Sequence, residues 1–169
     1  AITTKGVEKL YLSNFDTNTT QADTHTVDAS LMTGLTTVGL SASGANGDTD
    51  FTNLKNLVDA EMSNGSADLS VSYQATVVAG TTDNQNLTLS NQTAGLFTAA
   101  NVETVAITSK TLANTLTTLT ADSATKLTLS GGVKLTITDE LSATVANIAT
   151  IDASGMTAAV SLVNNNTTT

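Results

Sequence analysis

Three oxygen-bearing side chains occupy alternate positions in the glycine-rich stretch GANGDTDF at residues 44–51. Asn46, Asp48 and Asp50 follow the spacing with which an EF-hand loop begins, and carboxylate and amide oxygens bind hard divalent cations. The acid that closes such a loop is absent, since Leu57 takes its place. The stretch also fits a solvated turn before a helix, with Asp50 as the N-cap. We predict Asn46, Asp48 and Asp50 as metal ligands and keep the turn as the alternative.

Residues suited to catalysis are few and scattered along the chain. The only histidine, His25, has acidic and hydroxyl neighbours in sequence, but a catalytic triad is made by spatial geometry and not by adjacency in a strand. The glutamates Glu8, Glu103 and Glu140 could supply the paired carboxylates of a glycosidase. The chain has only three Phe, two Tyr and no Trp to form a sugar-stacking platform. We therefore expect no enzymatic activity.

The tripeptide Asp-Ala-Ser occurs twice, at residues 28–30 and 152–154. Both copies follow or interrupt a strand-like segment, where an aspartate oxygen can accept a hydrogen bond from a backbone N–H two residues later. We expect Asp28 and Asp152 to form such Asx turns in preference to binding a metal.

Composition narrows the class of protein. Thr makes up about a fifth of the chain, Arg, Cys, Pro and Trp are absent, and the formal net charge is -9. Thr is β-branched and suits a pleated, half-exposed surface, so the bias favours strands. The negative charge repels phosphate backbones, which excludes nucleic-acid binding. No apolar run approaches the roughly 18 residues of a bilayer span, so we expect no transmembrane segment.

Alternating apolar and polar residues predict half-buried strands along most of the chain. Two of these segments open on a similar phrase, GVEKLYLSNF at 6–15 and NVETVAITSK at 101–110. We expect each phrase to open a block of one parallel β stack, and the alternative is two unrelated amphipathic strands. The predicted strand segments are 7–13, 35–43, 67–78, 85–92, 102–109, 124–139 and 148–154.

One segment breaks this alternation and predicts a short helix at about residues 52–63. Asp50 or Thr52 would be its N-cap and Gly65 follows its end. We expect the helix to cap an exposed edge or end of the sheet core. The apolar residues at helical spacing are Phe51, Leu54, Leu57, Val58 and Met62.

Turn chemistry separates two all-β architectures. Antiparallel sandwiches commonly place Asn-Gly or Asp-Gly between strands of equal length, whereas Asn46-Gly47 and Asn64-Gly65 fall in a loop and at the end of the predicted helix. Stacked rungs that align Thr and Asn explain the composition better. We predict an all-β, parallel β-solenoid-like stack with one short helix, and keep an antiparallel β-sandwich as the alternative. Residues 1–169 would form a single elongated domain or a fragment of a longer surface protein.

Four short phrases over about a third of the chain support a family resemblance. They are the hydrophobic-Glu-Thr pattern of Val102–Thr108, the pattern of Ala124–Gly131, and the two Asp-Ala-Ser phrases. In this order they resemble the repeat region of large bacterial surface-layer proteins exported by the type I route, whose calcium-binding RTX repeats lie nearby. The first half is covered more thinly, and the RTX nonapeptide itself is not reproduced.

The resemblance implies an extracellular, cell-surface location and calcium as the cofactor, with Asn46, Asp48 and Asp50 as the best local cluster of oxygens. It also implies a structural protein that self-assembles into a surface layer or filament through open sheet edges. Partners would be other copies of the chain and cell-surface polysaccharide. The alternative is an adhesin-like binding module on the cell surface.

Overall fold

The computed structural model describes residues 2–16, 24–141 and 148–163, and these ranges fold almost entirely into short β-strands. The strands are β1 (Thr4–Lys5), β2 (Lys9–Leu12), β3 (His25–Asp28), β4 (Met32–Thr33), β5 (Thr37–Ser41), β6 (Thr49–Leu54), β7 (Asp59–Ser63), β8 (Leu69–Tyr73), β9 (Asn84–Ser90), β10 (Leu96–Ala99), β11 (Thr104–Lys110), β12 (Asn114–Leu116), β13 (Thr118–Thr120), β14 (Lys126–Gly131), β15 (Leu135–Glu140), β16 (Thr150–Met156) and β17 (Val160–Val163).

The chain winds between two sets of sheets. A seven-stranded sheet has the order β16-β14-β11-β9-β7-β5-β2, and the strands between its members belong to a five-stranded sheet, β13-β10-β8-β6-β3, and a three-stranded sheet, β12-β15-β17. Strands β1 and β4 form a separate pair. Among the described residues every strand pair is parallel. The chain is therefore a parallel β-solenoid of about 6 turns, which confirms the predicted fold over the antiparallel sandwich.

The core lies between the sheets and is built from columns of apolar side chains. Inward residues alternate with outward ones, so each rung contributes one residue to a column. A rung buries its apolar face only when a neighbour stacks on it, because a single coil has no interior. One such column of the seven-stranded sheet consists of Leu10, Val38, Ala60, Leu87, Ile107 and Leu129.

The two similar segments at 6–15 and 101–110 belong to one parallel β stack, as predicted, and the structure places both in its seven-stranded sheet, although they are not in equivalent register. Aligning the phrases matches Leu10 with Val105, whereas the strand pairing brings Leu10 into the column of Ile107. An offset of two residues keeps the same side chains facing inward. The two segments therefore bury the same set of alternate positions although they differ in register by two residues.

The predicted helix at 52–63 is wrong. These residues form the end of β6, a corner and then β7. Asn53 has a φ of 58° and interrupts the pairing of β6 with β8, so that both Phe51 and Leu54 are buried. Val58 and Met62 are buried by ordinary alternation in and before β7. The bulge at Asn53 and the corner after it space the buried apolar residues as a helix would. The segment forms strands instead of a helix because its backbone hydrogen-bonds to both neighbouring rungs.

The corner after the seven-stranded sheet has the same backbone conformation in successive rungs. Ala42, Asn64, Asn91 and Thr111 each have a φ between 53° and 70°. Asn tolerates this left-handed conformation because its short polar side chain bonds locally. Here Asn91 Nδ2 donates to Asn64 Oδ1 at 3.1 Å, which joins two rungs at the corner.

Candidate functional surfaces

The predicted metal ligands lie at the corner that leads into β6. Asp50 is the second residue of β6 and shares its outward face with Asp48, since alternate residues of a strand point the same way. The carbonyl of Asp48 accepts the His25 N–H at 2.9 Å, and Gly47 packs tightly against the Asn14 carbonyl. The loop is therefore held against the preceding rung.

Aspartates at this corner accept backbone hydrogen bonds from the next rung. Asp48 Oδ1 accepts the Asp68 N–H at 2.9 Å, and Asp68 Oδ1 accepts the Leu96 N–H at 2.7 Å. Burial raises the pKa of Asp68, the bond from Leu96 opposes that rise, and the charge of Asp48 adds to it. The two carboxylates thus repel each other weakly while linking three rungs.

Sequence reasoning missed Asp68, because it lies 20 residues beyond Asp48 and only the stacking brings the two together. Within the described ranges, no three His, Cys, Asp or Glu side chains are grouped so that they could hold a metal ion. Calcium at Asn46, Asp48 and Asp50 stays a prediction.

Both Asp-Ala-Ser phrases form Asx turns, as predicted. Asp28 Oδ1 accepts the Ser30 N–H at 2.9 Å and Asp152 Oδ1 accepts the Ser154 N–H at 3.0 Å. The backbone bond from Ser30 lowers the pKa of Asp28, and the hydroxyl of Ser154 lowers that of Asp152. Asp28 also accepts from Asn53 Nδ2 at 3.0 Å, so this turn stabilises the neighbouring bulge.

The candidate catalytic residues are not brought together. His25 is exposed at the start of β3, where its Nδ1 lies 2.9 Å from Asn14 Nδ2. Glu103 Oε2 accepts the Asp83 N–H at 2.8 Å, while Glu8 is exposed at the start of the stack. The side chain of Glu140 lies outside the described part of the structure. The described residues enclose no cavity or cleft.

The terminal rungs expose the ends of the apolar columns. Ile151 of β16 is 38% exposed, whereas Leu127 and Val105, which precede it in the same column, are fully buried. At the other end Leu10 and Leu12 of β2 are only half-buried. Strands β2 and β16 are the two edges of the seven-stranded sheet, so within the described residues each has backbone N–H and C=O groups on one side without a strand partner.

These features define the class of the protein as a parallel β-solenoid, and in its described part β2 and β16 are the edge strands of the seven-stranded sheet. No protein-family model, curated protein or solved structure matches the chain. In the described residues, the structure contains no helix of the length and apolarity that a membrane crossing requires.

Proposed function

We propose that the chain is a structural protein of the cell surface that self-assembles into a layer or filament. The observation that supports this proposal is the pair of open edges, β2 and β16, on which the apolar columns end exposed. An uncovered edge pairs readily with another strand, because its N–H and C=O groups and its apolar side chains all gain partners.

Calcium would assist assembly by lowering repulsion between copies. Each chain has a formal net charge of -9, so stacking brings like charges together. Asn46, Asp48 and Asp50 are the proposed ligands, and Asp68 lies beside Asp48; the pKa of Asp68 is raised mainly by burial and further by the charge of Asp48. A divalent cation at this corner would relieve that repulsion.

Light scattering and negative-stain imaging of the purified chain, in calcium and then in excess chelator, test the proposal. We expect ordered sheets or filaments in calcium that dissolve in chelator. A matched variant, Asp48→Asn with Asp50→Asn, keeps side-chain oxygens at both positions but removes two charges. If calcium acts there, this variant assembles with less dependence on calcium. A compact monomer in both buffers contradicts self-assembly and favours the adhesin-like alternative.

A further inference from the structure

The two open edges of the seven-stranded sheet have matching chemistry. We infer that the β2 edge of one copy stacks on the β16 edge of another in the register of the sheet, which brings Lys9 beside Asp152. This inference rests on the proposed function, because it names the partner and the geometry of self-assembly. The pairing is head to tail and does not close on itself, so repeating it builds a filament.

The register follows from the pairing inside one chain. Lys9 and Asp152 belong to one outward column, and Asn86 Nδ2 donates to Asp59 Oδ1 at 2.9 Å within it. Adding a β2 strand beyond β16 without changing the register therefore brings the ammonium of Lys9 next to the carboxylate of Asp152. The members of the column, in order, are Lys9, Thr37, Asp59, Asn86, Ala106, Thr128 and Asp152.

The inward side chains at the two edges match in the same register. Leu12 of β2 and Met156 of β16 both end one column. Its inner members, in order, are Leu40, Met62, Leu89, Ser109 and Gly131. Leu12 and Met156 are half-buried, whereas Leu40 is 3% exposed and Leu89 is fully buried. In β16 the pairing with β14 shifts by one residue between Asp152 and Gly155, and a β2 strand that leaves the same extra residue unpaired would place Leu12 on Met156.

Charge complementarity favours a second copy as the occupant. The chain carries only six Lys against 15 Asp plus Glu, yet a lysine lies at one edge and an aspartate at the other in the same column. Opposite charges directly across neighbouring strands strengthen pairing, and like charges weaken it.

Zero-length cross-linking tests the register in the unmodified chain. A carbodiimide joins an amine to a carboxylate only when the two are in contact, and mass spectrometry then identifies the joined peptides. Particles are assembled from an equal mixture of heavy-isotope and ordinary chain, so that a heavy–light product proves a link between copies. The internal control is the Lys126–Asp152 pair, since Lys126 is close enough for its charge to act on Asp152 within one chain.

We expect heavy–light Lys9–Asp152 products in assembled particles and none in dissolved chain. Asp152→Asn, which keeps an oxygen for the Ser154 N–H, should abolish the product. Particles that give Lys126–Asp152 products but no heavy–light Lys9–Asp152 product overturn the register and leave self-assembly standing. Absence of particles in every buffer overturns the proposed function itself.

A charge reversal gives a second, independent measurement. Lys9→Glu should weaken association by about two- to fivefold, the effect of exchanging an attractive cross-strand pair for a repulsive one. The loss should be smaller in the Asp152→Asn background, because the partner charge is gone. An equal loss in both backgrounds means that Lys9 acts only through net charge, and this contradicts the inferred contact.

Discussion

Gly131 lets neighbouring rungs approach closely at a corner, and replacing it tests how tightly the coils are stacked. Gly131 ends β14 with a φ of 130°, a conformation that L side chains rarely adopt. A Cβ added there would lie 2.1 Å from the Ser109 carbonyl oxygen and 2.8 Å from the Ser109 nitrogen. Ser109 cannot move away freely, because β11 is paired on its other side with β9.

We expect Gly131→Ala to destabilise the fold by about 2–6 kcal/mol. Backbone strain at such a φ costs about 1–3 kcal/mol, and shifting a packed backbone costs about 1–3 kcal/mol more. The adjacent Gly132→Ala is the matched control, since the nearest atom to its Cβ is Thr157 Oγ1 at 3.8 Å. This control should be neutral or slightly stabilising, by up to about 1 kcal/mol.

Urea unfolding followed by far-ultraviolet circular dichroism measures the difference. With a slope of about 1–3 kcal/mol per molar urea, a loss of about 3 kcal/mol lowers the midpoint by roughly 1–3 M. Equal midpoints for Gly131→Ala and Gly132→Ala would refute the close approach of β14 to β11.

Three further predictions concern polar groups and corners. Tyr73→Phe should destabilise the fold by about 1–3 kcal/mol, because it removes the hydroxyl that donates to the fully buried Gln85 Oε1. Tyr11 donates to Glu61 at an exposed site, so Tyr11→Phe should cost under about 1 kcal/mol in the same unfolding assay. Burial raises the pKa of Tyr73 from 10.0 to about 12. The protonated hydroxyl therefore stabilises the fold fully below pH 10, and this contribution is lost as the pH rises toward 12. Across that range, the urea midpoint of Tyr73→Phe should fall less steeply with pH than that of the unmodified chain. Ala42→Asn should stabilise by about 1 kcal/mol, since Ala42 has a φ of 57° in a column where Asn64 and Asn91 already occupy that conformation; a lower melting temperature would contradict this.

Alternation in the sequence locates most strands of the seven-stranded sheet, with β7, which falls in the predicted helix, as an exception. Thr104–Lys110 and Lys126–Gly131 both fall inside predicted segments, and the lack of hairpin turns correctly favoured a parallel stack. The segment 124–139 was predicted as one unit but contains two strands, β14 and β15, separated at Gly131-Gly132. Very short strands such as β4 carry too few residues for any period to show.

The bulge and the register could not be predicted from the sequence. Asn53 is of a residue type that tolerates a left-handed backbone, but nothing in the sequence distinguishes it from the other Asn residues, so Phe51 and Leu54 match a helical period. Along the first inward column, successive members are 20 to 28 residues apart, because corner loops differ in length. This variation hides the repeat and also conceals the proximity of Asp48 to Asp68.

The surfaces proposed for assembly were expected only in general terms. Open edges follow from any solenoid, but which strands form them depends on where stacking begins and ends. Lys9 and Asp152 are 143 positions apart in the sequence, and their shared column emerges only from six successive strand pairings. No local motif marks either residue as part of an interface.

Amide hydrogen exchange of the edge strands at low and high chain concentration tests the central claim most directly. If copies stack through β2 and β16, the amides of these strands that lack a partner within the chain become protected as concentration rises, while those of β9 and β11 are protected throughout. Exchange in β2 and β16 that stays fast and independent of concentration, under conditions where particles form, would contradict stacking through these edges.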